Sequence, residues 1–216
     1  MARKRVGILI SGRGSNMMSL VEAARAPDFP AEIVTVISNR PEAAGLLWAA
    51  SQGIPSVAID HKRFARREDF EAELNSALEA AGVELVCCAG FMRLMTPGFV
   101  NRWHGRMLNI HPSLLPSFKG LDTHEQALAA GVKIAGCTVH FVVPEMDAGP
   151  IIAQAAVPVI DGDTADTLAQ RILGAEHKLY PHALKLIASG NAYLVGDRVS
   201  GGNSVNQATG LFSPTC

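Results

Sequence analysis

The chain has 216 residues, of which 48% are hydrophobic and 18% charged, a balance that excludes global disorder. A chain of this length buries about 70% of the surface it exposes when extended, so one sizeable core forms without disulfide or metal staples. It fits one domain with a tail better than two domains. Lys and Arg number 19 against 20 Asp and Glu, a net charge of −1. That excludes a protein whose main task is to hold a nucleic-acid backbone, so any charged ligand must be recognised locally. Met1–Arg5 is basic and Val6–Ile10 apolar, but this apolar run is too short for the core of a signal peptide. No apolar run approaches the ~20 residues of a membrane helix. Cys87, Cys88, Cys137 and Cys216 lack CxxC spacing and read as reduced core or tail thiols, which places the chain in the cytoplasm.

Short β-branched runs alternate with helix-like stretches through the first half. Val6–Ile10, Ile33–Ile37, Pro55–Ile59 and Leu85–Ala89 read as strands, and Met17–Arg25, Pro41–Gln52 and Arg67–Ala81 as helices. Met18, Val21 and Ala24 define one apolar face of the first helix. Phe70, Leu74, Ala77, Leu78 and Ala81 define that of the third. The strands are apolar throughout rather than alternating, which predicts a parallel sheet covered on both faces. Beyond Ala89 the rhythm changes. A loop at Gly90–Leu94 precedes a short helix, Pro97–Trp103, opened by proline, then a strand, Met107–Ile110, and a short helix, Thr123–Ala130. Cys137–Val143 and Ile151–Val159, joined by the turn Asp147-Ala148-Gly149-Pro150, read as an antiparallel pair. Asp163 is expected to cap a long helix through Ile187 that Pro181 bends. The expected class is therefore α/β: an open, mostly parallel sheet with helices on both faces, Rossmann-like in its N-terminal half. An antiparallel pair lies near its end and a long C-terminal helix follows. Residues 1–195 form a single domain, and residues 196–216 a polar, flexible tail.

Three stretches carry candidate chemistry. In Ser11-Gly12-Arg13-Gly14-Ser15-Asn16, glycines between a strand and a helix let backbone N–H groups meet a phosphate. The spacing is neither GxGxxG nor GxxxxGK[ST], and a tight βα turn capped by Ser15 or Asn16 explains it equally well. In Asn109-Ile110-His111-Pro112, Asn109 and His111 are two apart on a strand and share a side, a possible acid/base and oxyanion pair at a strand's carboxyl end. Asp147 is a turn former by itself; near His111 it would favour the charged imidazole. His140, in a strand, reads as a satisfied half-buried histidine. Arg63, Arg66 and Arg67 read as a solvated basic cluster. The histidines have no metal-ligand spacing such as HExxH, so no metal is expected.

Taken in order, Gly14-Ser15-Asn16, Ala89-Gly90-Phe91-Met92-Arg93, Asn109-Ile110-His111-Pro112-Ser113-Leu114-Leu115-Pro116 and the pair of His140 with Asp147-Ala148-Gly149-Pro150 resemble the phosphoribosylglycinamide formyltransferases of purine biosynthesis. The resemblance runs from about Val6 to about Leu194. It implies a cytoplasmic enzyme, monomer or homodimer, that uses 10-formyltetrahydrofolate as co-substrate, with small-molecule partners only. It implies a catalytic trio, Asn109, His111 and Asp147, supported by His140. Gly14, Ser15, Asn16, Leu173, Gly174, Ala175 and Glu176 would bind the phosphoribosylglycinamide. Met92, Arg93, Leu94, Met95, Asn109, Val143, Pro144, Glu145, Met146 and Asp147 would hold the pterin, mainly by backbone groups, and Arg67 the outer end of the folate. Phe118–Asp122 matches a mobile segment, and family members often carry His where this chain has Asp122. The implied reaction is direct attack of the substrate amine on the formyl carbon, through a tetrahedral species and without a covalent enzyme intermediate.

Two relatives share the trio. A methionyl-tRNA formyltransferase is expected to carry an added basic C-terminal domain, whereas the stretch after Ser200 has no Lys or Arg. A formyltetrahydrofolate deformylase usually carries an added N-terminal domain, whereas here the first strand begins at Val6. The remaining alternative is a non-catalytic folate- or nucleotide-binding module on the same fold.

Overall fold

The computed structural model describes residues 2–202 and residue 213. Seven strands form one sheet in the order β3-β2-β1-β4-β5-β6-β7. They are β1 (Lys4–Ile10), β2 (Ala31–Ser38), β3 (Ser56–Ala58), β4 (Leu85–Cys88), β5 (Met107–His111), β6 (Ile134–Phe141) and β7 (Ile151–Pro158). The first five run parallel, and β5–β6 and β6–β7 are antiparallel. The expected architecture is thus the observed one, with element ends moved by a few residues.

Helices α1 (Ser15–Ala24), α2 (Ala44–Ser51), α5 (Thr123–Ala129) and α6 (Ala165–Ala188) pack on one face; α3 (Arg67–Ala80) and α4 (Pro97–Arg102) pack on the other. The alternation of β1 produces this division. Val6, Ile8 and Ile10 enter the first cluster, whereas Leu9 enters the second with Phe70, Leu74, Leu78 and Phe99. Phe99, Val100 and Trp103 are all buried, so the short helix is core rather than an open face.

Local details differ from expectation for clear reasons. The buried side of α1 is Asn16, Met17, Leu20, Val21 and Ala24, whereas Met18 is only half-buried. The helix starts at Ser15, two residues early, which adds Asn16 to the buried face, while Met18 packs partly buried against the same cluster. Its N-cap is Gly14 in the left-handed region (φ 72°), with no side-chain cap, so neither Ser15 nor Asn16 caps it. The N-cap of α6 is Thr164, not Asp163: Thr164 and Thr167 form a reciprocal capping box. Asp163 instead accepts two bonds from Arg171 (2.7 and 2.8 Å), and that guanidinium holds its carboxyl well below the usual range. Helix α6 continues through Pro181 as one element.

Past α6, β8 (Ala192–Val195) and β9 (Arg198–Gly201) form an antiparallel hairpin. The expected domain limit at residue 195 therefore falls inside a hairpin, and residues 196–201 are its turn and second strand. Residues 203–212 and 214–216, including Cys216, lie outside the described residues. Cys87, Cys88 and Cys137 are buried free thiols, and burial pushes the Cys87 and Cys137 thiols up to about 12. Among the described residues no helix is long and apolar enough to cross a membrane.

Tyr180 fixes α6 to the sheet. It is fully buried, and its hydroxyl lies 3.1 Å from both Cys88 O and Leu108 O, the last carbonyl of β4 and the one preceding Asn109. Tyr180→Phe should lower stability by about 1–2 kcal/mol, since it removes a donor while its acceptors stay buried. Urea unfolding should show a lower midpoint at unchanged slope.

Candidate active site

The strand order reverses between β1 and β4: β2 and β3 lie on one side of β1, and β4 onward on the other. In an open α/β sheet, loops at such a reversal diverge and leave a crevice at the carboxyl ends of the strands. The loops after β1 and β4, residues 11–14 and 89–96, leave the sheet there. Residues Asn109 and His111 end the neighbouring β5. They share the sheet face that carries Met107, which is buried with α3 and α4.

The loop after β1 meets α6. Asn16 Nδ2 donates to Glu176 Oε2 (2.7 Å), and both residues are buried. Burial pushes the Glu176 carboxyl up, and the Asn16 bond opposes this. Asn16 Oδ1 and His177 Nε2 are buried with no hydrogen-bond partner among the described residues, and a polar ligand can satisfy such groups. Gly14 and Ser15 are half-buried at the helix start. Leu173, Gly174 and Ala175 lie one turn before Glu176 on α6; no side-chain bond ties them to the loop.

Asn109 and His140 are cross-strand partners on β5 and β6, so they share a face. His140 Nδ1–H donates to Phe141 O (2.9 Å) and Nε2 accepts from Asn109 Nδ2 (3.2 Å). Burial pushes the His140 imidazole down, against the opposite pull of the Phe141 bond and of Asp147, so the neutral ring that this pattern requires is favoured. One Asn109 amide hydrogen is thereby committed, and the other is aimed by it.

The connection after β6 leaves beside Met107, where Val142 N–H donates to Met107 O (2.9 Å). It then folds back over the sheet: Asp147 Oδ2 lies 3.6 Å from His111 Nδ1, and Oδ1 lies 3.9 Å from His140 Nε2. A tight turn makes this possible. A Cβ on Gly149 would lie 1.8 Å from Phe141 O, so only glycine lets the turn approach β6 this closely. Asp147 itself is left-handed (φ 51°), a conformation that Asp tolerates better than most residues. The segment Phe118–Asp122 closes over the pair. His111 Nε2–H donates to Phe118 O (3.0 Å) and Gly120 N–H donates to Asp147 Oδ2 (2.9 Å). Both ring nitrogens of His111 thus face oxygen atoms. Thr138 pins the exit of β5: its hydroxyl donates to Ser113 O (2.7 Å) and accepts from Leu115 N–H (3.0 Å).

The structure therefore brings together Asn109, His111, His140 and Asp147, and separately Asn16 and Glu176. Of the residues expected at the pterin, Met92, Leu94, Pro144, Glu145 and Met146 are exposed, and Arg93, Met95 and Val143 half-buried. Glu145 also meets Lys119 (3.6 Å). Arg67 opens α3, exposed and joined to none of these groups, and Arg66 pairs weakly with Glu68 and Asp69 (3.7 and 3.9 Å). Sequence reasoning missed Thr138 and the Phe118 and Gly120 backbone groups. A threonine in an apolar run was the sole signal for the first, and backbone contacts leave none. Among the described residues no group of three or more His, Cys, Asp or Glu is placed to hold a metal ion.

Comparison with known proteins converges on one family. Residues 4–184 match the formyl transferase family. The chain is 40% identical over 199 residues to the phosphoribosylglycinamide formyltransferase of Escherichia coli, covering 89% of this chain and 94% of that protein. It is 52% identical over 192 residues to the human trifunctional purine biosynthetic protein adenosine-3, where the match covers 89% of this chain but 19% of that protein. It thus spans about a fifth of the length of the trifunctional relatives. The solved glycinamide ribonucleotide transformylase 1 of Symbiobacterium toebii superposes with a TM-score of 0.89 at 46% identity, covering 92% of this chain and 94% of that one. The chain belongs to the formyl transferase family and, within it, to the phosphoribosylglycinamide formyltransferases.

Proposed function

We propose that this chain transfers the formyl group of 10-formyltetrahydrofolate to the glycinamide amine of 5′-phosphoribosylglycinamide, a step of purine biosynthesis. The observation that carries the reading is the meeting of Asn109, His111 and Asp147, from one strand and a turn, with His140 of the next strand between them, within one partly buried cluster. Its family membership supports it further. When the amine adds to the formyl carbon, negative charge develops on the formyl oxygen. Asn109 donates its uncommitted amide hydrogen to that oxygen, and His111 Nε2–H, which bonds Phe118 O in the free chain, donates beside it once the substrate displaces that carbonyl. A donor of this kind is worth about 3–4 kcal/mol in the transition state. Asp147, beside His111 Nδ1, orients that ring and accepts the proton that the amine must lose on its way to the departing N10. His140, neutral and fixed by Phe141 O, keeps the Asn109 amide oriented. Gly14, Ser15 and Asn16 bind the phosphate end, and Glu176 accepts from ribose hydroxyls while Leu173–Ala175 line the same side. Met92–Met95 and Val143–Asp147 hold the pterin, and Arg67 meets the charged outer end of the folate. Holding both substrates by parts remote from the reacting atoms lowers the entropic share of the barrier. The three buried reduced thiols fit a cytoplasmic enzyme.

Incubation with 10-formyltetrahydrofolate, with and without the ribonucleotide, tests the reaction. Formyl loss only with the ribonucleotide is expected; loss without it identifies a deformylase, and no loss a binding module. Asp147→Asn should reduce turnover about a hundredfold to ten-thousandfold, while calorimetry finds ribonucleotide binding intact. Near-normal turnover would remove Asp147 from the mechanism.

Asn16→Leu should raise the ribonucleotide KM about tenfold or more, the worth of one hydrogen bond to a charged partner. It also removes the one bond that opposes the upward shift of Glu176. A carboxyl whose folded-state pKa is above its unfolded value binds more protons folded than unfolded. Stability is therefore lost as pH rises from the ordinary value of 4.5 through the raised one. Thermal unfolding of the variant against pH should fall more steeply above pH 4.5 than that of the parent chain; identical slopes would show that Asn16 does not hold the carboxylate.

A further inference from the structure

The loop between β4 and α4 is held at two points by buried side chains from elsewhere in the fold. Ser11, the residue after β1, is 5% exposed. Its hydroxyl accepts from Met92 N–H (2.8 Å) and donates to Asn39 Oδ1 (2.6 Å), and its backbone N–H donates to Gly90 O (3.1 Å). Asn39 is itself 2% exposed, and its carbonyl accepts from His61 Nδ1–H (2.8 Å). At the far end Glu71, a 4% exposed carboxylate on the packed side of α3, accepts from both Thr96 N–H (2.7 Å) and the Thr96 hydroxyl. Glu71 sits where α3 would otherwise place an apolar residue, and a buried carboxylate is costly unless its bonds serve a purpose.

Between these two anchors lie Arg93, Leu94 and Met95. Among the described residues their backbone N–H and C=O groups carry no hydrogen bond, although the groups on either side do. The Arg93 guanidinium is laid over the Phe70 ring (5.3 Å), which turns its charge onto α3. What the arch offers a ligand is therefore its backbone. Free, aimed donors and acceptors in a fixed arch suit a flat heterocycle with an alternating donor–acceptor edge. An arch without anchors would have to be ordered on binding, at a cost in entropy.

We propose that Ser11 and Glu71 are positioning residues for the formyl donor. They fix the two ends of the arch 93–95, and Ser11, the first residue of the loop after β1, ties the arch to that loop. This rests on the formyl-transfer reading above. Met92 N–H is committed to Ser11, so the pterin contacts come from residues 93–95 rather than from that amide.

Ser11→Ala and Glu71→Gln, made separately, test the idea in the full chain. Each should raise the KM for 10-formyltetrahydrofolate about tenfold, the equivalent of one net hydrogen bond. The ribonucleotide KM should stay unchanged, and turnover at saturation should stay within about threefold. Ser11→Thr, which keeps the hydroxyl, should restore the donor KM. In the free proteins, hydrogen exchange should quicken across residues 90–96 and not across 17–24. Unaltered exchange at 90–96, or an equal rise in both KM values, overturns the proposal. An active parent chain whose donor KM is unmoved by either variant refutes the positioning role alone. A parent chain that transfers no formyl group refutes the reaction, and the donor assignment with it.

Discussion

Everything at the site depends on the reversal of strand order beside β1. Parallel β1 and β4 are adjacent, register-locked from Val6 with Leu85 to Leu9 with Cys88, yet their chains leave toward helices on opposite faces of the sheet: α1 lies on one and α4 on the other. Their loops must therefore diverge, and a crevice opens without any element being displaced to make it. The flanking cores are fully packed, with Val6, Ile8, Leu9 and Ile10 all inaccessible to solvent. That rigidity converts small side-chain choices at the strand ends, such as Ser11 and Asn109, into fixed positions.

Burial then organises the chemistry. His140 is held neutral by burial and oriented by its bond to Phe141 O, Asn109 is aimed by His140, and His111 stands between Phe118 O and Asp147. Each group is fixed by one that does not react. On the formyl-transfer reading, the arrangement also suits a chain with a net charge of −1 to two anionic ligands. Its basic residues form no dominant field, and recognition is left to a helix start, free backbone groups and single well-placed side chains. The exposed charges contribute little to holding the fold, since pairs such as Lys4 with Glu84 are half exposed on both sides.

Much of this was legible in the chain itself. Continuous apolar runs separated by helical periods could be buried only in a covered parallel sheet. The Asp147–Pro150 turn marked the antiparallel pair, and Asn109 and His111 were placed on one side by the two-residue period of a strand. Errors came where local signals compete. Asp163 and Thr164 are both good caps, and the choice fell to Thr164 because Arg171, two helix turns on, claims the Asp163 carboxylate. Val21 and Ala24 lie on the buried face of α1 as expected, and Asn16 joins it because Gly14, free to be left-handed, starts the helix at Ser15. The hairpin after α6 was missed because its strands are four residues each, too short to show a period, and the second, Arg-Val-Ser-Gly, is half polar.

The sequence by itself determined the fold class, the order of the elements, the residue types of the proposed catalytic trio and the family, since these rest on local periodicity and short linear motifs. Only the tertiary structure decided that Asp147 folds back onto His111, that Glu176 meets Asn16 across 160 residues, and that Ser11 and Glu71 hold one loop from two sides. Those contacts join residues remote in the chain, and their geometry depends on strand order, backbone approach at Gly149 and burial. None of these leaves a periodic mark that a linear sequence can carry.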